Sequence, residues 1–408
     1  MTILKCPEIR FKNDDGNNYP NWEDKKLDNV FKFYKGKGIS KIELSEEGIP
    51  CIIYGELYTK YREVIGVVKS KTNIKKELLF MSEIGDILIP SSGETQKDIA
   101  TASTVMEKNV ALGGDINILR SKETINSPYV SYYLKHIKNI EISKLSQGNS
   151  VVHLYSKQLS NLKIEIPSLE EQQKIGDFFM LLDKRIEQQE QKIALLKDYK
   201  KAMMQKIFSQ KIRFKDENGN DYPDWEEKKL GEIVYRNSKK NKDQKYTLIQ
   251  SISNKYGFVN QEDYFEDRRV GSLDVSNYYV INNGCFAYNP SRIDVGSLAY
   301  KNDNDISIIS PLYVSFKGNA KHINDKFLLG WLFSHKFVGK LGRLFEGSVR
   351  NTLSYENLST IDIETPCIAE QEKIALFLEV INDSIENQKE LLDEIIKEKT
   401  ALLNKMFI

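Results

Sequence analysis

The chain contains one long segment twice. IRFKNDDGNNYPNWEDKKL, from Ile9 to Leu27, returns as IRFKDENGNDYPDWEEKKL from Ile212 to Leu230, 203 positions later and identical at 13 of 19 positions. LSNLKIEIPSLEEQQKIGDFF, opening at Leu159, returns without a gap as LSTIDIETPCIAEQEKIALFL, opening at Leu358, 199 positions later. Because the two shifts nearly agree, the repeating unit is about half the chain, far longer than the period of a solenoid. The 408 residues therefore divide into two similar modules, each long enough to bury its own core.

Each module ends in a long helical pattern. Ser168 follows Pro167 and precedes Glu171 by three positions, which predicts a capping box at a helix start. Apolar residues then step by four and three through Ile175, Phe179, Leu182, Ile186, Gln189, Ile193, Leu196, Lys200, Met203 and Ile207. The second copy runs Ile374, Leu378, Ile381, Ile385, Gln388, Leu392, Ile395, Lys399, Leu402, Met406. Both are coiled-coil seams, and their polar interruptions coincide, Gln189 with Gln388 and Lys200 with Lys399. A polar residue in an apolar seam is tolerated mainly where it sets register or partner, so Gln189 and Gln388 are the candidate register pair. The spacing alone does not choose between antiparallel packing within one chain, parallel packing, and a coiled coil between two chains. Two duplicated units around a two-fold axis would favour the antiparallel pair.

Composition bounds the rest. No apolar run approaches the length of a membrane span, and MTILKCPEIRF lacks a signal-peptide core, so a cytoplasmic protein is expected. Cys6, Cys51, Cys285 and Cys367 show no CxxC spacing and are expected to be reduced and inert. The net charge is +1 overall, with +3 in residues 1–167, +1 in 168–208, +1 in 209–366 and −4 in 367–408. Neither half is basic enough to coat nucleic acid, so any DNA contact must come from local clusters.

Between the shared opening and closing segments the two middles differ almost completely. Strand-like runs such as EIGDILIP (Glu83 to Pro90), NGCFAYNP (Asn283 to Pro290) and PLYVSF (Pro311 to Phe316) predict mixed α and β structure. The stretches Ser127 to Ile137 and Asn324 to Phe337 read as helical. A duplicated frame holding divergent middles suits one task performed on two different targets. No motif for catalysis stands out. The nearest match to an adenine methyltransferase N/D-P-P-Y/F motif is NPSR at Asn289 to Arg292, which lacks the second proline and the aromatic, and GKGIS at Gly36 to Ser40 has the wrong spacing for a phosphate loop. His136, His153, His322 and His335 show no metal-ligand pairing, so neither a catalytic nor a metal site is expected.

The order YPxWExKKL, variable domain, LSxxxIxxP, EQxKI and long helix, all repeated, resembles the specificity subunit of type I restriction-modification systems over the whole chain. The resemblance implies an α+β fold: two mixed α/β target recognition domains in pseudo-two-fold arrangement, 1–167 and 209–366, separated by antiparallel coiled-coil spacer helices, 168–208 and 367–408. It implies a non-catalytic subunit that reads a split asymmetric target in double-stranded DNA. Two methyltransferase subunits and two restriction/translocase subunits would assemble on it, and S-adenosylmethionine, ATP and Mg²⁺ would be bound by those partners only. A 41-residue helix spans about 60 Å, ample for two half-sites one DNA turn apart. The alternative functions are a coiled-coil scaffold or regulator that does not touch DNA, and a divergent enzyme hidden in one half.

Base readout calls for Arg, Lys, Asn or Gln on polar loops. Two loop classes recur in both halves. One follows the central strand: SSGETQK (Ser91 to Lys97) and NPSRID (Asn289 to Asp294). The other precedes the closing segment: SQGNSVVH (Ser146 to His153) and EGSVRNT (Glu346 to Thr352). Gln96, Lys97, Gln147, Asn149, Asn289, Arg292, Arg350 and Asn351 are the candidate readers. Lys35, Lys37, Arg236, Lys239, Lys240, Arg268 and Arg269 are candidate phosphate contacts; charge runs of this kind are otherwise solvated loops. Trp22 and Trp225, present in both copies, are expected to pack against the helices or a shared partner.

Overall fold

The computed structural model describes residues 7–148, 152–261, 274–345 and 352–407. Two compact units emerge, Met1–Gln191 with Glu390–Ile408, and Lys192–Lys389. The boundaries cut both long helices, Leu169–Phe208 and Ile368–Met406, so each unit holds one half of each helix.

In the first unit two five-stranded sheets form. One has the order Phe31–Lys35, Ile116–Ser121, Ile87–Pro90, Ser103–Val105, Val64–Ile65; the other Leu44–Ser45, Ser70–Thr72, Ile49–Ile52, Ala111–Leu112, Phe80–Met81. The second unit has two four-stranded sheets, Val234–Arg236, Val314–Gly318, Cys285–Tyr288, Leu298–Tyr300, and Gly257–Asn260, Ile249–Ser253, Ser307–Ile309, Tyr279–Ile281. Both units are α+β, with mostly antiparallel ladders. The runs ILIP and CFAY are buried at every position, as an interior strand covered on both faces requires. In each unit the opening and closing repeats meet: Glu23–Lys26 pairs antiparallel with Lys163–Ile166, and Glu226–Lys229 with Asp362–Thr365.

The repeated residues perform the same work in each unit. Arg10 donates to Glu171 through Nε (2.8 Å) and Nη2 (2.6 Å), and Trp22 Nε1 donates to the same carboxylate at 3.2 Å. Arg213 repeats this on Glu370 at 3.1 and 2.7 Å, with Trp225 Nε1 at 3.3 Å. Gln172 accepts the Asn126 backbone N–H at 3.0 Å, and Gln371 that of Asn324 at 2.8 Å. Those two asparagines cap the helices Ser127–His136 and Asp325–Leu332. The EQ pair of the repeat thus locks the start of the long helix to both the opening segment and a domain helix.

The helix halves run antiparallel within each unit. In the first, Phe179 stacks on Phe407 with centroids 5.6 Å apart, and Asp183 further along pairs with Lys399 at 2.6 Å. In the second, Met204, Ile207 and Phe208 share a core with Ile374, Ala375 and Leu378. Gln189 belongs to the first unit and is buried; Gln388 belongs to the second and is half-buried.

Three local expectations need correction. At the first helix start Glu171 N–H reaches Ser168 Oγ at 3.4 Å, but the Glu171 side chain is engaged with Arg10 and Trp22, so the capping box is half made. Near the end of each helix the seam slips by one residue, burying Met204 and Leu403 in place of Met203 and Leu402. A helix of 3.6 residues per turn drifts from a strict heptad, and these ends pack on domain cores. The stretch from Asn324 to Phe337 is two helices, Asp325–Leu332 and His335–Phe345, parted where buried Ser334 donates its hydroxyl to the Trp331 carbonyl at 2.6 Å.

Candidate nucleic-acid interface

The two loop classes singled out in the sequence meet in each unit through the same hydrogen bond. Leu154 N–H donates to Ser91 O at 3.0 Å, and Leu353 N–H to Pro290 O at 3.0 Å. Each pair lies 63 residues apart in sequence, and the two pairs stand 199 positions apart, the shift of the closing repeat. The carbonyl of the returning residue is held as well, by Asn117 Nδ2 on Leu154 O (3.0 Å) and by the Tyr288 hydroxyl on Leu353 O (3.1 Å). In the first unit the junction extends into a short ladder, Ser92–Gly93 with Val152–His153, and Ser92 Oγ lies 3.1 Å from His153 Nδ1. A common backbone clamp therefore carries two unlike sets of loop side chains.

Gln96 and Lys97 are exposed in the short helix Gln96–Ile99, capped by Thr95, whose Oγ1 accepts the Asp98 N–H at 3.1 Å. Gln147 is exposed at the mouth of the other loop, and its backbone exchanges bonds of 2.9 and 2.8 Å with His153. Asn289 is half-buried and closes a turn, its Oδ1 accepting the Ser291 N–H at 3.1 Å. Arg292 is exposed, and its side chain has no hydrogen bond or ion pair among the described residues. Asn149, Arg350, Asn351, Arg268 and Arg269 lie outside the described residues.

Among the phosphate candidates, Lys35 ends the strand Phe31–Lys35 and Lys37 follows it, both exposed. Gly36 between them admits no side chain, because a Cβ there would stand 1.9 Å from the Gly113 carbonyl oxygen. Lys239 and Lys240 are exposed, the latter reaching Asn277 Oδ1 at 3.3 Å. Arg236 is engaged within the unit, pairing with Glu356 at 2.9 Å and lying over the Tyr355 ring at 5.7 Å. The pair is exposed, so it adds little to stability. Burial pushes the Cys51 thiol up to about 11, which keeps it protonated and unreactive.

Residues the sequence reading passed over lie beside these loops. In the first unit a groove of about 850 Å³ runs between Tyr54 and Tyr58, after the strand Ile49–Ile52, and Glu94 of the central-strand loop. In the second, a groove of about 370 Å³ runs between Asn254 and Lys255, after the strand Ile249–Ser253, and Asn289 and Arg292. The topological position is the same. No sequence motif marks it, since only strand pairing brings the loops together.

A model of the type I restriction modification DNA specificity domain matches the chain twice, over residues 19–198 and 222–397. The type I restriction enzyme MjaVIII specificity subunit of Methanocaldococcus jannaschii is 25% identical over 421 residues, covering 97% of this chain and 95% of the relative. The putative MjaX specificity subunit of the same organism is 26% identical, with 97% and 95% covered. Among solved structures, the S subunit of a type I restriction-modification system from M. genitalium superposes with a TM-score of 0.61 at 15% identity, covering 99% of both chains. A chain from a study of complex assembly and conformational transition of the type I R-M system gives 0.55 at 16% identity, covering 96% and 98%. With a shared clamp under divergent loops in both units, and the family model matched once in each repeat, the chain belongs to the type I restriction modification DNA specificity domain family.

Proposed function

We propose that this chain is the DNA-reading subunit of a type I restriction-modification complex, each unit reading one half of a split target in double-stranded DNA through its clamped loops. The observation that carries the reading is the repeated bond, Leu154 to Ser91 and Leu353 to Pro290, beneath loops of different composition. A frame that is the same twice supplies position, and side chains that differ supply two specificities. In this reading residues 1–167 and 209–366 are the recognition domains, and 168–208 and 367–408 are spacers whose register Gln189 and Gln388 help set. Methyl transfer and cleavage belong to two methyltransferase and two restriction subunits, which bring S-adenosylmethionine, ATP and Mg²⁺. The site of action is the cytoplasm.

The test is to co-express the chain with its methyltransferase partner in a host lacking other adenine methylation and to map methylated adenines. A bipartite motif with a fixed spacer is expected. Exchanging residues 30–145 for those of a relative should then change one segment of that motif and leave the other. If the complex marks no defined sequence, or the exchange alters both segments or neither, the reading fails. Retained assembly with the methyltransferase but no mobility shift on DNA would favour a scaffold.

A further inference from the structure

The groove of the second unit sets two cations, Lys255 and Arg292, among serine and asparagine side chains. The turn Ser253 to Gly257 joins the strands Ile249–Ser253 and Gly257–Asn260 and uses a left-handed residue, Gly257 at φ 67°. Its tip is tied to the neighbouring loop by Asn254 Nδ2, which donates to Val295 O at 2.8 Å. That loop is itself stiff. Arg292 N–H donates to Asn289 O at 3.0 Å, Ser297 N–H donates to Arg292 O at 3.0 Å, and Asn289 N–H donates to Ser297 O at 3.0 Å. The Arg292 backbone is held at both ends while its guanidinium projects from an exposed position. Across the groove the Lys255 ammonium lies 4.7 Å from the Tyr256 ring centroid, a contact that restrains it.

The lining explains what such a groove can bind. Ser251, Ser253, Lys255, Asn289 and Arg292 contribute hydroxyls, an amide and two cations, and among the described residues no carboxylate lines it. The groove at the same topological position in the first unit carries Glu43, Glu56, Glu94 and Asp115 beside Lys41 and Lys60. A surplus of donors matches an edge made of acceptors. In the major groove only guanine offers two adjacent acceptors, N7 and O6, in the spacing an arginine fork fills.

We infer that Arg292 reads a guanine in the half-site of the second unit through N7 and O6, with Lys255 contacting the acceptor edge of that base pair or the next. The inference rests on the DNA-reading function proposed above and assigns a base to it. The backbone bonds fix where the Arg292 side chain starts, so binding has to order only that side chain and not the loop. In the other groove four carboxylates outnumber Lys41 and Lys60, and Lys60 is paired with Glu56 at 2.6 Å, so the two grooves present different charge patterns, consistent with an asymmetric target.

The test uses the complex with the methyltransferase partner and compares wild type with Arg292→Ala, Arg292→Gln and Lys255→Ala by methylome mapping and by binding to single-base-pair variants of the target. The half-site of the second unit is the one that the 30–145 exchange leaves unchanged. It should contain a guanine at which both Arg292 variants lose about 10- to 100-fold of discrimination, with all other positions unaltered. Lys255→Ala should relax that position or its neighbour. A second half-site without guanine overturns the inference, and so does an unchanged motif in both Arg292 variants. Equal weakening on every sequence also overturns it, because that is the behaviour of a phosphate contact. Failure of the wild-type complex to mark any bipartite sequence would instead remove the function on which it rests.

Discussion

Lys399 Nζ stands 2.6 Å from Asp183 Oδ1, joining the end half of the second long helix to the first half of the first. The same ammonium lies 3.6 Å from Glu63 Oε2 and over the Tyr132 ring at 5.2 Å. Arg62 adds 3.5 Å to Asp183, and His136 hydrogen-bonds Glu63. The matching residue of the other seam, Lys200, is half-buried, and burial lowers its pKa, with Glu386 only partly restoring it. Replacing Lys399 by Met leaves buried Glu63 and half-buried Asp183 under-compensated and should cost about 3–5 kcal/mol in the first unit. Lys200→Met should be neutral or stabilising, since it removes a desolvated charge. Thermal melts of the two variants check the contrast, and equal losses would show that the two seam lysines do the same work.

The pair also predicts opposite pH responses. Burial alone would raise the Glu63 carboxyl, but His136, Lys135 and Lys399 hold it well below the ordinary range. Its contribution is therefore complete above the unfolded value near 4.3 and is lost as pH falls through the folded one. Lys200 is depressed, so it destabilises the second unit at neutral pH, and stability rises as pH climbs through the lowered value toward the ordinary lysine value of about 10.4. Denaturant titrations of wild type, Glu63→Gln and Lys200→Met across pH test both signs.

Arg10 and Glu171 form two charge-assisted bonds around a carboxylate with no exposure. Arg10→Ala should destabilise the first unit by about 3–5 kcal/mol, and Arg213→Ala should do the same in the second. Conservative Lys replacements should recover only part, because Lys lacks the planar fork. If either Ala variant melts like wild type, the clamp contributes no more than an exposed ion pair.

Phe407 sits among Tyr129, Tyr133 and Phe179 at centroid distances of 5.5, 5.8 and 5.6 Å. Truncation to Ala should cost about 3–5 kcal/mol, measured by denaturant midpoint, and Phe208→Ala should act likewise on the second unit.

Lys239→Ala and Lys240→Ala should weaken DNA binding evenly across sequences and each reduce the salt slope by about 1. A change in preferred sequence in either variant would mean that the lysine reads bases.

Much of this was legible because local chemistry and the repeat pointed the same way. The buried runs ILIP and CFAY read as strands, and the EQxKI segments read as helix starts, because burial and capping leave marks within a few residues. Both loop classes were also visible as polar segments at matching places in two copies. The junction between them was not, since Leu154 and Ser91 are far apart in sequence and are joined by backbone atoms that every residue carries. Nor was Asn254, which gains its meaning from the Val295 carbonyl across the groove.

The sequence by itself determined the duplication, the position of both long helices and the division of each copy into a constant frame and a variable middle. These follow from periodicity and identity along the chain. Only the tertiary structure decided that Glu171 turns to Arg10 and Trp22 rather than back to its own helix start, that the seams slip to Met204 and Leu403, and that Lys399 is ion-paired where Lys200, among the described residues, feels Glu386 without an ion pair. In each case two local arrangements are near in energy, and the choice falls to a partner brought in from another part of the chain, through packing and low-dielectric electrostatics that no short window of sequence contains.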